Sequence, residues 1–234
     1  MAFAIALIYV PAEAATVSPM IVEVSPSGSH SIARIELSNP GEEDFPVEVM
    51  MFRGEISEAG ELNLIPAEED FLVFPAQIIV KPQGQQVFRI QYVGEPNLVS
   101  SQVYYAAIRQ IPVDFVDGES QLQLVVNYNI LINVVPNGAK SNPVVEIIGL
   151  ETRNEIQGLQ LRVVNTGAGF FLAGQQQWDV AGQTASGESF SRRFTAEEIA
   201  KSFGVGIVAP GKARVFFLPL NQPLVEGTIT VTPT

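Results

Sequence analysis

A chain of 234 residues with a single histidine, His30, and no cysteine has few ways to do chemistry. Without thiols there are neither disulfides nor thiolate metal sites, and one imidazole cannot form a pair for metal or acid–base work. A serine triad would have to use His30, which sits in "SPSGSHS", a turn-like segment, and reads as an exposed turn residue. Glu68, Glu69 and Asp70 form an acidic run beside Pro66. Glycoside hydrolysis needs two carboxylates held across a cleft; neighbours along the chain do not provide that, and the run reads as a solvated loop. Gly167 and Gly169 in "NTGAGFFLAG" follow a strand pattern but lack the helix that a phosphate-cradling loop requires. Arg192 and Arg193, flanked by Phe190 and Phe194, read as a solvated strand face. The net charge, 13 − 25 = −12, opposes nucleic-acid binding, which needs a basic surface. The reading is therefore a non-enzyme, with no catalytic residue, metal site or cofactor assigned.

The distinctive segment is "QLQLVVNYNILINVVP", residues 121–136, uncharged throughout. Strand side chains alternate between faces, so Leu122, Leu124, Val126, Tyr128, Ile130, Ile132 and Val134 would line one side. An ordinary strand runs about five or six residues. A long alternating run without charge is a hazard at a sheet edge, because unpaired backbone groups invite another chain to join. A protein that uses such an edge for strand addition would keep the alternation and omit the charges.

The elements that must hold this strand are legible as short runs between turns. "VSPMIVEV", "SIARIELS", "FPVEVMMFRG", "FLVFPAQIIV", "QVFRIQYV", "QVYYAAIRQI" and the long strand follow one another at regular spacing, the pattern of a β-sandwich. Pro75 marks a bulge or an edge, since proline cannot donate to a ladder. "VPNGAKSNP" is a linker by composition. A second series follows: "VVEIIGLE", "GLQLRVVN", "GFFLAGQQQWDV", "ESFSRRF", "GVGIVA", "KARVFFLPL" and "GTITVTP". One short helix interrupts it at "TAEEIAKSF", where Thr195 and Glu198 fit a capping box. The fold class is all-β, two tandem immunoglobulin-like β-sandwich domains.

At the N-terminus, residues 2–10 are apolar but too short to span a bilayer. Pro11 and Ala12-Glu13-Ala14 follow, a small-x-small pattern of the kind signal peptidase cuts. The usual basic region is missing; the run reads as a signal peptide, whole or truncated, with a buried strand as the alternative. No other stretch is long enough to insert in a membrane. The expected division is 1–15 signal peptide, 16–136 first domain with the long strand, 137–143 linker and 144–234 second domain.

From about residue 16 onward the chain resembles a periplasmic pilus-assembly chaperone of the chaperone–usher pathway. The resemblance rests on "LSNPGEEDFPVEV", "FPAQIIVKPQGQQVFRI", "YYAAIRQIP" and "LQLVVNYNILINVVP" in the first half, and on "LRVVNTGAGFF" and "VAPGKARVF" in the second. It implies two immunoglobulin-like domains set in an L, without enzymatic activity or nucleotide. It also implies a periplasmic location and partners of two kinds, pilus or fimbrial subunits and an outer-membrane usher. In this family the long strand completes a subunit's unfinished sandwich. Matched back from Pro136, the donor side chains are Leu122, Leu124 and Val126, with Tyr128 and Ile130 continuing the face. The sequence departs from the family at the two cleft positions that usually clamp the subunit's C-terminal carboxylate. An arginine and a lysine are usual there; Ile21 and Leu131 stand here, and neither can make a charge-assisted bond. Arg89 and Arg109 are the remaining family-matched bases and the candidate replacements. Two further possibilities stay open: a structural or adhesive tandem immunoglobulin-like exported protein, and a free form that caps its own edge as a homodimer.

Overall fold

The computed structural model describes residues 14–112, 125–220 and 222–234. Two β-sandwiches follow one another along the chain. In the first, one sheet has the order β1 (Thr16–Ser18), β3 (Ile32–Asn39), β8 (Gly84–Tyr92), β6 (Phe71–Phe74). The facing sheet runs β2 (Ile21–Val24), β10 (Asn127–Val134), β9 (Gln102–Gln110), β4 (Phe45–Ile56), β5 (Leu62–Pro66), with β7 (Gln77–Val80) also paired to β4. Prolines decide where the chain crosses between sheets. Pro19 separates β1 from β2 and Pro75 separates β6 from β7, and in both cases the flanking strands belong to opposite sheets. A residue without an N–H ends one ladder and lets the next begin elsewhere. The edge position expected near Pro75 is met, since β6 borders its sheet. Alternate residues fill the space between the sheets: Ile35, Leu37, Phe88 and Ile90 from one side, Met51, Tyr104, Ile108, Ile130 and Ile132 from the other.

The second sandwich sets β11 (Pro143–Arg153), β12 (Ile156–Asn165) and β17 (Ala213–Pro219) in one sheet and β15 (Ser189–Phe194), β14 (Trp178–Gln183) and β18 (Thr230–Pro233) in another. A short pair, β13 (Phe171–Leu172) and β16 (Ile207–Val208), lies beside them. The helix α1 (Ala196–Phe203) carries the capping box expected of Thr195 and Glu198, and it buries Ile199 and Phe203. Phe203 meets the edge of Trp178 at 5.5 Å between ring centres, while the Trp178 indole donates to the Ala173 carbonyl at 3.0 Å.

One device recurs in both sandwiches. Asn39 ends β3, and its amide nitrogen donates to the carbonyls of Glu43, Val80 and Lys81 at 2.8, 3.2 and 3.2 Å. Its oxygen accepts from the Gly41 N–H at 3.2 Å. Asn165 ends β12 in the same way, donating to Gly169 and Val208 at 2.7 and 3.0 Å and accepting from Asn142 and Gly167 at 3.0 and 3.1 Å. Each buried asparagine thus satisfies the loop two and four residues on, and ties it to a strand about forty residues away. The pair "N-P-G" and "N-T-G" is a repeat between halves that composition and strand periodicity do not show.

The structure differs from the sequence reading in three places. "VSPMIVEV" and "FLVFPAQIIV" are each two strands, split by their prolines. β5 is absent from the expected series; "LNLIP" lacks alternation, and its strand forms because β4 offers an edge. Of the described part of the long uncharged run, residues 125–136, the strand takes in Asn127–Val134 alone.

Candidate functional site

β10 has two halves with different neighbours. On one side β9 pairs along its full length, from Asn127↔Arg109 to Val134↔Gln102. On the other side β2 runs parallel to it and covers only Leu131 to Val134. The Leu131 N–H donates to Met20 O at 3.0 Å and the Val135 N–H to Val24 O at 2.8 Å. Because a ladder strand turns alternate residues to alternate neighbours, the backbone groups of Asn127 and Asn129 face the side that β2 does not reach. Among the described residues, half of the strand is therefore an open edge, with both asparagines exposed.

The proposed donor residues divide along this strand. Leu122 and Leu124 lie outside the described residues. Val126 is half-buried beside the edge, its N–H donating to the Gln110 side-chain oxygen at 3.2 Å. Tyr128 is half-buried against the first core and gives its hydroxyl to the Ala15 carbonyl. Ile130 is fully buried in that core. The expectation that Ile130 continues the donor face needs correction: its side chain points into the protein's own interior, where no client can reach it.

Ile21 and Leu131, the positions matched to the family's clamp, are direct register partners. They face the second sandwich and join Val103, Leu172 and Ile207 in an apolar cluster that connects the two domains, with Ile56, Tyr105 and Phe170 packed around it. Two residues on, Asn133 points the same way and is fully buried, and neither atom of its amide finds a hydrogen-bond partner among the described residues. Beside it opens a cleft of about 490 Å³ bordered by Ile21, Glu23, Ser141, Phe170, Gln175 and Gln176, with no lysine or arginine on its walls. A buried amide without partners is a standing cost. Asn133→Val is expected to raise the free protein's stability by about 1–3 kcal/mol, the desolvation penalty of such a group; urea unfolding reads it, and a lower midpoint would show that Asn133 has a stabilising partner.

The comparisons with known proteins bear on this arrangement. A family model described as "Pili and flagellar-assembly chaperone, PapD N-terminal domain" matches residues 17–140, more than half of the chain. The chain belongs to that chaperone family. Among solved structures it resembles the class 5 fimbriae chaperone CfaA, with 13% identity, a TM-score of 0.55, and 94% of this chain and 99% of that one covered. The E. coli chaperone DraB gives 17% identity, a TM-score of 0.54, and coverage of 94% and 95%. A chain of the CsuC–CsuE chaperone–tip adhesion subunit pre-assembly complex of Acinetobacter baumannii gives 13%, 0.55, and 95% and 94%. At such identities these structures speak for the fold, two tandem immunoglobulin-like sandwiches. No curated protein matches the chain.

Within this chaperone fold the two arginines proposed as anchors stand away from the cleft. Arg89 lies on the exposed face of the opposite sheet, beside Arg34 and Phe74 in register and bonded to Gln91 at 3.3 Å. The first core separates it from Leu131. Arg109 shares the outer face with Leu131, but its partner on β10 is Asn127, four register positions away, or roughly 13 Å along a strand. It rests over the Phe52 ring at 5.2 Å and against the Met50 sulfur. Neither brings a positive charge into the cleft, so the replacement expected from sequence is corrected.

The other residues singled out by type have structural employment. Asp70 accepts the Tyr104 hydroxyl at 2.9 Å, and burial, with this bond behind it, pushes the Tyr104 phenol far above its ordinary range. Arg193 binds Asp179 through two bonds of 2.7 Å, and Arg192 pairs with Glu198 at 2.8 Å. Gly167 and Gly169 lie against the linker: a Cβ at Gly167 would stand 2.3 Å from the Lys140 carbonyl oxygen. These glycines allow close backbone approach to the linker. His30 is exposed in a 3-10 turn.

Sequence reasoning passed over the bases that do lie between the domains. Glu58, in the β4–β5 turn, accepts from Arg162 at 2.6 Å, and its carbonyl accepts the Val215 N–H at 2.8 Å. Arg214 stands beside this contact, half-buried. The available signal was "KARVF", two bases spaced by one residue at the head of an otherwise apolar strand.

Proposed function

We propose that this protein is a periplasmic chaperone that binds pilus or fimbrial subunits by lending them a strand, and that it delivers them to an outer-membrane usher. The observation that carries the reading is the half-covered β10: β2 closes the half nearest the second domain, and among the described residues no strand covers the other half, which continues an uncharged alternating segment of sequence. An extended client segment can continue the ladder there, gaining backbone bonds from Asn127 and Asn129, while Leu122, Leu124 and Val126 fill its apolar groove. Tyr128 and Ile130 hold the strand to the chaperone itself. Such a division lets one strand belong to two cores, each using its own length.

Co-expression with a small subunit whose sandwich lacks its final strand tests the proposal. A soluble 1:1 complex is expected on size exclusion, with the subunit insoluble when expressed alone. A subunit that stays soluble and separate would sink the reading. A free chaperone that runs as a dimer, and becomes a 1:1 heterodimer when the subunit is present, would show that the open edge is capped by a second copy until a client arrives. Export is proposed to remove the N-terminal apolar run up to about Ala14 or Ala15, given the small-x-small pattern there; the intact mass of the exported protein reads this directly.

A further inference from the structure

The linker between the sandwiches carries a reactive pair of its own. Asn137-Gly138 is the one Asn-Gly step in the sequence; every other asparagine is followed by a residue that carries a side chain. The Cγ of an asparagine is open to attack by the backbone nitrogen of the next residue, and a side chain on that residue crowds the approach. Glycine leaves it clear.

The ends of the linker are pinned and its middle is free. The Val135 N–H is held by the Val24 carbonyl at 2.8 Å, and the Lys140 carbonyl accepts the Gly169 N–H at 2.9 Å. The Asn142 N–H donates to the Asn165 side-chain oxygen at 3.0 Å. Between these ties residues 136–139 form one turn, closed by the Ala139 N–H on the Pro136 carbonyl at 3.1 Å. Gly138 takes a φ of 77° while Asn137 stays out of the positive region, the pattern of a type II turn. Both residues are exposed, and a Cβ at Gly138 would meet nothing within 4 Å. Among the described residues no backbone carbonyl accepts from the Gly138 N–H. Bringing that nitrogen onto Asn137 Cγ requires rotation about the Asn137 ψ, which the single turn bond opposes. Opening of so exposed a turn lies at the low end of local stabilities. Asn39 and Asn165 make the contrast, for both are buried and their amides are tied to carbonyls.

We propose that Asn137 is a self-modification site, at which the linker converts its own amide to an acid as the protein ages. The Gly138 nitrogen gives up its proton to hydroxide and bonds to Asn137 Cγ. The bond from Cγ to the side-chain nitrogen breaks, and that nitrogen takes up a proton and leaves as ammonia. Water then opens the cyclic imide. Opening at Cγ leaves an aspartate; opening at the main-chain carbonyl leaves an isoaspartate, whose chain runs through Cβ and Cγ. Either product adds one negative charge, −12 − 1 = −13. The isoaspartate also inserts one further carbon between ends that the two sandwiches hold fixed, so the change falls on the join between the domains. The inference goes beyond the strand-lending reading, because it concerns that join and not the open edge.

The test is to hold the whole, client-free protein at neutral and at mildly alkaline pH and to follow it by ion exchange, intact mass and peptide mapping. One acidic species is expected to accumulate, with the mass of an amide replaced by an acid. It should map to residues 136–140 as a mixture of aspartate and isoaspartate, and form faster at the higher pH because the attacking nitrogen must lose its proton. Asn137→Gln should remove the species, since its imide ring would be larger and slower to close. Gly138→Ala should slow it severalfold, as a methyl crowds the nitrogen and disfavours the positive φ. In the isoaspartate fraction the amide shifts of Ala139 and Gly169, which flank the turn, should differ from those of fresh protein. A free peptide of sequence "VVPNGAKSN" sets the timescale. Conversion of the peptide without conversion of the protein overturns the proposal, as does an acidic species that maps elsewhere or persists in Asn137→Gln. Unchanged Ala139 and Gly169 shifts would overturn the effect on the join. A missing 1:1 complex in co-expression counts against strand lending and leaves this measurement untouched.

Discussion

Asn165→Ala should destabilise the second sandwich by about 3–5 kcal/mol, the sum of several buried hydrogen bonds and the exposure of their partners to an apolar interior. The side chain is fully buried and makes four bonds to backbone groups. Removing it orphans two N–H groups and two carbonyls at once, and water cannot enter a close-packed core to replace them without loosening it. The loop of Gly167 and Gly169 would then lose its register on the linker, since the Asn142 N–H is one of the four partners. Urea unfolding followed by Trp178 fluorescence reports on this domain, because Trp178 is the chain's only tryptophan and is buried there. Asn165→Asp serves as the sharper variant: it keeps the two acceptor contacts, loses both donors, and buries a charge. A loss below about 1 kcal/mol, the value of one ordinary bond, would show that the staple is redundant. Asn39→Ala should act likewise on the first sandwich, without changing the Trp178 signal.

The second large effect concerns the lent strand. Leu124→Glu should leave the free protein folded and abolish recovery of the client complex. A carboxylate forced into a client's apolar groove costs several kcal/mol if it stays charged, and still costs if it takes up a proton. Ile132→Glu provides the contrast, for Ile132 is fully buried in the first core, and the same substitution there should unfold the protein. Intact binding by Leu124→Glu would remove that residue from the donor face. Unfolding of Leu124→Glu would make the whole run an ordinary core strand. Arg89→Ala, on the far sheet, should leave client recovery unchanged.

The strand series was legible because alternation is local: Leu37, Ile35 and Ala33, or Val49 and Met51, declare their face two residues at a time. The capping box at Thr195 and Glu198 was legible for the same reason. What failed was non-local. "LNLIP" becomes a strand because β4 has a free edge to offer, and nothing in its own five residues says so. Ile130 shares the alternation of the donor face, and only the position of the core along the strand tells that its side chain is inside. Ile21 and Leu131, matched to the clamp from sequence, are register partners in the fold, while the bases expected to replace the clamp were sought on the first domain's strands. Arg214, the half-buried arginine between the domains, comes from β17, contributed by a domain more than a hundred residues away. The Asn-x-Gly repeat at Asn39 and Asn165 was present in plain letters; its meaning depends on Val80 and Val208, which sequence distance hides.

The sheet crossing at Pro19 sets two clocks on one strand. The amides of Leu131 and Val135 are held by Met20 and Val24, so they exchange with solvent only when β2 lifts away. Those of Asn127 and Asn129 face the side that no described strand covers and can exchange from the native state. Because β1 and β2 are continuous chain anchored in opposite sheets, peeling β2 also tugs on the pairing of Thr16–Ser18 with β3. Deuterium uptake along β10 should therefore be biphasic, fast for its leading half and slow for its trailing half, with the slow phase shared by β3. A bound client would slow the fast phase and leave the slow one where it was.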